Sequence, residues 1–460
     1  MKQSPTRTEI FESMPVRRAV PAQILPAIAS QMVALLYSLA DTFFVGKLND
    51  PDQTAAVTVA GAVFLLLTAL SNLFGIGGAS LVSRKLGLHR ADEAKQVSAF
   101  CFYSGLISAL VFGILVGVLA GPILRLCGAK EASFDYAKGY LFYSVVLGAA
   151  PTVLTTLMAN LVRAEGSSVG ASIGVTIGCA VNIILDPVFV LPFGLNMGAA
   201  GAGAATAISN CVGLCYFLLY IRRNRETTAN SVDPRLLRCA KAHAWQVLKI
   251  GLPSALQYML TVVAVSAQLR FVSKYGNAAV AAVGITKKLD QLPLFFSIGV
   301  ANGLLPLVGY NYAAGNYERT ERCFRFGVSI SLGFALLCVI AYELFAPVLT
   351  RLFIGDEETV AYAASFLRRM VIAMPFMSVC YPLITKFQAM GKAKESLTVS
   401  VLRKGVLDIP LYFVMDAVKP LYGCMWVQPI VDTVSLTVAV ILNRRIVRRD
   451  RSAKQAAAEN

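Results

Sequence analysis

Asp186 sits in the apolar run Gly174–Leu191, with Asn182 four residues before it and Pro187 directly after it. At that spacing the amide and the carboxylate share a helix face. The proline removes one backbone N–H and so frees a carbonyl. A carboxylate, an amide oxygen and loosened backbone suit a hard cation or a proton. The plainer alternative is a kink residue satisfied by its own backbone. Asp41 closes an earlier apolar run, fifteen residues beyond Pro26. It is either a second member of such a site or a cap on a helix end near water. An intramembrane carboxylate costs roughly 2.5–3.5 kcal/mol on insertion scales, so function is the first reading for both. Asp290 follows Lys287 by three residues and can pair with it or line a cavity. Glu343 lies near the end of its run and reads as interfacial, and Asp408 stands two residues before Pro410.

Other chemistries find little support. The ten cysteines are scattered without a C-x-x-C pair, and the only histidines are His89 and His243. That leaves no metal site to expect, and the cysteines read as small apolar residues. H-E-x-x-H, G-x-S-x-G and Walker A patterns are missing, which speaks against a membrane enzyme and against direct ATP drive. No cofactor is expected.

The elements that carry these residues follow from composition. The 460 residues are 56% hydrophobic and 15% charged, with mean hydropathy +0.64. Soluble domains hold about 45–50% apolar and about 25% charged residues, so this is an all-α, multi-pass membrane chain. Apolar runs of spanning length fall at 20–46, 55–83, 97–124, 137–162, 168–192 and 197–221. A second set falls at 245–272, 278–309, 326–353, 362–388, 397–416 and 420–443. The division expected is an N-terminal tail 1–19, a first lobe 20–221, a basic linker 222–244, a second lobe 245–443 and a tail 444–460. Residues 1–18 are polar and the first run is too long for a signal h-region, so no cleaved leader is expected. The net charge is +16, from 42 Lys and Arg against 26 Asp and Glu. In alternate loops the basic residues count 30 against 8, with 386–404 taken as a loop on the richer side. The positive-inside rule then places both termini and the linker in the cytoplasm, and the charge reads as topology, not nucleic-acid binding.

The halves repeat. Leu25-Pro26 matches Leu252-Pro253, and Phe44-Val45-Gly46-Lys47 matches Phe271-Val272-Ser273-Lys274, both at offset 227. Gly78 matches Gly303, Pro122 matches Pro347, and Arg163-Ala164-Glu165-Gly166 matches Gln388-Ala389-Met390-Gly391 at 225; Pro187 matches Pro410 at 223. Ordered matches at a nearly fixed offset signal duplication. Six spans per half is an even number, so both halves enter the membrane in the same sense. They are expected to form two six-helix lobes about a pseudo-twofold axis along the membrane normal, with a rocking cleft between them.

In these motifs the chain resembles the multidrug and toxic compound extrusion (MATE) family of cation-coupled exporters. The resemblance runs from about residue 15 to 448. It rests on Asp41-Thr42-Phe43-Phe44-Val45-Gly46, Gly75-Ile76-Gly77-Gly78, Asn182-Ile183-Ile184-Leu185-Asp186-Pro187, Gly198-Ala199-Ala200-Gly201 with Ala205-Thr206, and Pro306 with Gly309-Tyr310-Asn311-Tyr312. It implies that Asp41, Asn182, Asp186 and Thr206 form a first-lobe network binding H+ or Na+. Some members also carry a seventh-span glutamate; here Ser254–Thr261 holds no acid, which favours the first lobe. Polar residues expected to line the substrate cleft are Gln31, Tyr37, Tyr140, Tyr143, Asn160, Gln257, Tyr258, Gln268 and Asp290. Met259, Met370, Met374 and Met377 are either adaptable cleft surface or helix packing. An acid-bearing cleft with aromatics suits small amphiphilic organic cations. The expectation is a monomeric antiporter in the plasma (inner) membrane, among membrane lipid. A flippase for a lipid or lipid-linked glycan is the alternative, disfavoured by the twelve spans and the acidic first lobe.

Overall fold

The computed structural model describes residues 9–48, 50–127 and 131–459, which are helical with no strand among them. The first half comprises α1 (Val16–Gly46), α2 (Pro51–Gly87), α3 (Ala91–Val118), α4 (Ala120–Leu126), α5 (Glu131–Leu141), α6 (Ala149–Ala164), α7 (Ser168–Val190) and α8 (Gly198–Arg223). The second comprises α9 (Leu237–Val272), α10 (Asn277–Ala313), α11 (Tyr317–Arg351), α12 (Glu357–Met370), α13 (Met374–Ala389), α14 (Ala393–Val401), α15 (Asp408–Val418) and α16 (Tyr422–Glu459).

Among the described residues, ten helical segments are long and apolar enough to cross a membrane, α12 and α13 forming one of them. α5 and α6, bent by 54° after a π-helical stretch at Phe142–Leu147, form an eleventh. α14 and α15, joined by π-helical Leu402–Val406, complete the twelve-helix, two-lobed fold. That last span carries Lys394, Glu395, Arg403, Lys404, Asp408 and Asp416, so apolarity alone does not reveal it. Arg403 and Lys404 therefore leave the loop count: they lie inside the span formed by α14 and α15, where Arg403 is buried.

The duplication is written in the backbone. Left-handed residues recur in pairs: His89 (φ 57°) with Gly315 (φ 73°), Gly166 (φ 91°) with Gly391 (φ 75°), and Gly198 (φ 57°) with Leu421 (φ 60°). These pairs are separated by 226, 225 and 223 residues, the same drift as the sequence repeat. Each member ends or precedes a helix, where a positive φ turns the chain.

Packing distinguishes the two ends of the molecule. One core cluster draws on both lobes, with Ile24, Val82 and Leu161 beside Val247, Leu304 and Phe387. Towards the other end each lobe has its own cluster: Val45, Val63, Val116 and Tyr140 in the first, Phe271, Val283, Phe366 and Tyr412 in the second. Close backbone approaches join the lobes in the half bearing the termini. Gly77 faces the Val247 carbonyl, Gly251 that of Leu73 and Gly87 that of Tyr310, while Gly299 and Gly303 lie on α1 at Ile28 and Ile24. A Cβ at any of these would collide with backbone. The lobes are thus closed together at one end and part at the other. Leu36, Ile107, Ile114, Leu337 and Leu344 are exposed on the outside, as a lipid-facing surface requires.

The sealed end also gathers the chain's extremities. Phe11 stacks on Tyr310 at 4.7 Å and packs against Gly166. The Arg319 guanidinium donates to the carbonyls of Phe11 (2.8 Å), Met14 (2.7 Å) and Ile10 (3.2 Å). The segment expected as a linker over 222–244 is shorter, because α8 runs to Arg223 and α9 begins at Leu237. It is anchored by buried Glu165, which accepts from the Thr228 hydroxyl and the Ala229 N–H, each at 2.7 Å. The tail expected over 444–460 continues α16 as helix to Glu459, since it is rich in Arg and Ala and lacks Gly and Pro. Residues 1–8 of the N-terminal tail lie outside the described residues.

Candidate coupling site and interlobe cleft

Asp41 and Tyr37 project one turn apart from α1, and Asn182 and Asp186 one turn apart from α7; Thr206 comes from α8. α1 packs on α7 through its own loosened turn. Pro26 and Pro21 lie within α1, and the Ser172 hydroxyl donates to the Pro26 carbonyl at 2.7 Å while that of Ser168 donates to the Gln23 carbonyl at 2.6 Å. These two bonds fix the first span against the fifth, away from the acids along both helices.

Asn182, Asp186 and Thr206 are fully buried. With the Asn182 amide turned to satisfy both neighbours, its nitrogen donates to Asp186 Oδ2 at 2.9 Å and its oxygen accepts from the Thr206 N–H at 3.2 Å. The Tyr37 hydroxyl lies 3.4 Å from Thr206 Oγ1. Asp41 and Asp186 are close enough to repel one another, and Tyr37 and Tyr140 lie within electrostatic reach of both. One oxygen of each acid, Asp41 Oδ1 and Asp186 Oδ1, is buried without a hydrogen-bond partner. Buried carboxylate oxygens are nearly always satisfied, so two adjacent orphans mark a place for a proton or a cation. Among the described residues no cluster of His, Cys, Asp and Glu has the form of a metal site.

The structure thus brings together Tyr37, Asp41, Tyr140, Asn182, Asp186 and Thr206. It disperses the other residues expected to line the cleft. Gln31 is half-buried on α1, and Tyr143 is half-buried in the π-helical stretch, edge-on to Phe142 at 5.4 Å. Asn160 packs on Gly75 of α2 and accepts from Arg163 at 3.3 Å, a first-lobe packing role. Gln257 is buried and accepts from the Ser400 hydroxyl at 3.4 Å, tying α9 to α14. Tyr258 lies within polar reach of Asn72 of the first lobe. Gln268 is buried towards the separated end of α9. Met370, Met374 and Met377 are buried in second-lobe packing, whereas Met259 is exposed.

Asp290 belongs to a second constellation that motif reading missed. Buried Arg403 donates to buried Asp432 at 2.6 Å, Gln428 donates to the other Asp432 oxygen at 2.9 Å, and Lys404 donates to Gln428 at 3.0 Å. Lys404 stands 3.9 Å from Asp408, and the Arg403 guanidinium stacks over Tyr381 at 4.4 Å. Lys287 and Asp290 face this group electrostatically; Lys287 Nζ is itself buried without a hydrogen-bond partner, so the two do not form the simple i−3 pair that was one expectation. Lys386, counted as a loop cation, is also buried in α13, paired with Glu321 at 2.5 Å. Lys288, next to Lys287, interacts electrostatically with Asp41 of the first lobe instead. Basic residues within apolar runs were the one available signal for both.

This is a two-lobed, multi-pass helical membrane protein with its distinctive polar site in the first lobe. The MatE family model matches residues 26–188 and again 253–414, one copy in each lobe, and the chain belongs to that family. The multidrug export protein MepA of Staphylococcus aureus (strain MSSA476) is 28% identical over 433 residues, covering 94% of each chain. MepA of Staphylococcus haemolyticus (strain JCSC1435) is 27% identical over 432 residues with the same coverage. Among solved structures, the outward-facing conformation of a multidrug resistance MATE family transporter of the MOP superfamily superposes with TM-score 0.90 at 23% identity, covering 98% of this chain and 99% of that one. A MATE in complex with MaL6 gives TM-score 0.91 at 22% identity, covering 98% and 100%. At such identities these likenesses bear on the fold.

Proposed function

We propose that the protein is a secondary antiporter that exports amphiphilic organic compounds in exchange for H+ or Na+. The observation that carries this reading is the pair of orphan carboxylate oxygens on Asp41 and Asp186, the second of them held by Asn182, beside Thr206 and Tyr37, in one lobe of a cleft that is closed at one end. Neutralising such a pair with a proton or Na+ removes mutual repulsion and changes how α1 packs, which couples ion binding to lobe movement. The multidrug export relatives support the cargo class, and the basic-residue bias supports cytoplasmic termini, with the open end of the cleft facing outside. On this reading the chain works as a monomer in the cell membrane, without a cofactor.

The test is efflux of a fluorescent amphiphilic cation from proteoliposomes, with a pH gradient and a Na+ gradient imposed separately. One gradient is expected to drive dye movement against its concentration difference. Movement that follows only the dye gradient, unaffected by either ion, overturns the reading.

A further inference from the structure

The duplicated scaffold places two glycine turns at the sealed end, and they are covered differently. Gly391, after α13, is the counterpart of Gly166, after α6, at offset 225, and Tyr310 of α10 is the counterpart of Arg84 of α2 at offset 226. Both glycines hold a left-handed φ. On one side the lobes meet directly: a Cβ at Gly391 would stand 2.6 Å from Arg84 Nη1, so the guanidinium of the first lobe lies on the turn of the second. On the other side a third group fills the place between turn and helix. The three atoms nearest a Cβ at Gly166 are Cζ, Cε2 and Cε1 of Phe11, the tip of its ring, at 2.8, 3.0 and 3.7 Å. The face of the same ring stacks on Tyr310 at 4.7 Å, with the planes 19° apart. Phe11 is 2% exposed.

Phe11 belongs to no spanning helix. It sits in a single π-helical turn, Glu9–Ser13, set off from α1 by Pro15 in an extended conformation (ψ 137°). The second lobe grips that turn through side chains. Besides the stack, the Arg319 guanidinium donates to the Ile10, Phe11 and Met14 carbonyls, acceptors that one turn of helix leaves open. The Tyr310 hydroxyl donates to Glu12 at 2.5 Å. The repeat does not call for this piece: 225–227 residues beyond Phe11 the chain reads Leu236-Leu237-Arg238, at the start of α9. Elsewhere in the seal helices interlock backbone to backbone, as Gly87 does with the Tyr310 carbonyl, and part only with whole lobes. The turn before α1 has its own hinge at Pro15, where the helix is broken, so it can be withdrawn by itself.

We propose that the turn Glu9–Ser13 is a latch on the sealed end, with Phe11 as its bolt. Inserted, the ring bridges the lobes, and it leaves the slot between Gly166 and Tyr310 before the lobes part there. The proposal rests on the exporter reading above for the movement of the lobes and names a control on it. The turn is tethered to the first lobe through α1, so its contacts with Tyr310 and Arg319 are the ones severed when that end opens. Ring stacking and three hydrogen bonds from a charged donor are then lost together, which biases the protein towards the state closed at this end. Losing Phe11 empties the crossing at Gly166 and leaves the one at Gly391, made by Arg84, as it was.

The test is hydrogen–deuterium exchange, read by mass spectrometry on the full-length protein in nanodiscs. Phe11→Ala is expected to speed exchange about tenfold in the seam, over residues 77–87 of α2 and 299–310 of α10. It is also expected to slow exchange at the far ends of α1 and α9, over residues 37–45 and 268–272, as the lobes close there. Arg319→Gln should act in the same sense. Phe217 is the control, a ring buried within the first lobe against Gly174. Phe217→Ala should loosen that lobe and slow exchange nowhere, which is what a merely structural Phe11 would also do. If Phe11→Ala does not fold, Phe11→Leu keeps most of the buried volume, loses the stack and should give a smaller shift of the same sign. A seam that does not loosen, or that loosens without the opposite change at the far end, overturns the latch. Gradient-driven dye efflux by the wild type, measured alongside, tests the exporter reading separately. Efflux with an unchanged seam refutes only the latch, and a reciprocal shift in a protein that moves no dye refutes only the exporter.

Discussion

Replacing Asp186 by Asn separates a coupling role from a structural one. The side chain keeps its shape, and its oxygen still accepts from the Asn182 amide now 2.9 Å from Oδ2. What is lost on that bond is the difference between a charged and a neutral acceptor, about 1 kcal/mol. What is gained is release from holding a carboxylate in the membrane, roughly 2.5–3.5 kcal/mol, together with the repulsion from Asp41. An ionised Asp186 therefore makes the variant more stable by about 2 kcal/mol, and an Asp186 already protonated at rest makes it about neutral. Transport moves the other way, because an amide neither binds a proton nor offers charge to Na+. The expected outcome is an unfolding midpoint in detergent equal to or above wild type, with gradient-driven efflux abolished in proteoliposomes. Efflux at the wild-type rate would refute the coupling role. A midpoint lowered as far as a broken buried contact demands would show that Asp186 holds the lobe together instead.

Three further expectations follow from the same geometry. Asp41→Ala should stop efflux while Gln268→Ala, its counterpart in the repeat, weakens it modestly; equal loss in both, assayed at several external pH values, would remove the asymmetry between lobes. Arg403→Met should destabilise the protein by about 3–5 kcal/mol by stranding buried Asp432, and adding Asp432→Asn should recover most of that, as read by thermal unfolding in a double-mutant cycle. In a Cys127→Ser background, a cysteine placed at exposed Glu226 should resist a membrane-impermeant maleimide in intact cells and react after permeabilisation, whereas native Cys127 should label from outside; the reverse pattern would invert the topology.

The twelve spans, the duplication and the Asp41–Asn182–Asp186–Thr206 group were legible because each leaves a local mark. Apolar runs have a length, proline and glycine recur at an offset, and an amide four residues before an acid lies on its face. The resemblance joined α1, α7 and α8, which spacing alone does not. Less legible was anything made by tertiary pairing. Arg403 and Lys404 read as the end of a basic loop because their neutralising partner Asp432 is 29 residues away on α16. Asn160 and Gln257 read as cleft residues because polarity in a span suggests water, yet Arg163 and Ser400 satisfy them within their own lobes. Lys287 and Lys288 are adjacent in sequence, but successive helical residues point about 100° apart, so the two meet different charged neighbours. Only the packed structure shows which.

If the protein works by the proposed alternating access, the distribution of contacts singles out the element that moves. At the sealed end the lobes are held by interlocked backbone at glycines, by Ser80 donating to the Gln388 carbonyl at 2.5 Å, and by Tyr310 donating to Glu12 at 2.5 Å. Such contacts are lost together when the lobes separate, because close-packed surfaces are two-state rather than elastic. α1 is the element common to both ends: it meets Gly299 and Gly303 of α10 in the seal and carries Tyr37 and Asp41 in the separated half. Pro21 and Pro26 lie between its N-terminus and the acids, where the missing N–H groups lower the cost of bending. Swinging a two-state equilibrium from 1:99 to 99:1 takes about 5.5 kcal/mol. Neutralising two carboxylates at roughly 2.5–3.5 kcal/mol each is of that size. On the antiport reading proposed above, one neutralised acid would shift the lobes only part way, so strict coupling would require Asp41 and Asp186 to change state together, and their mutual proximity, and not the burial of either alone, would be the feature on which exchange depends.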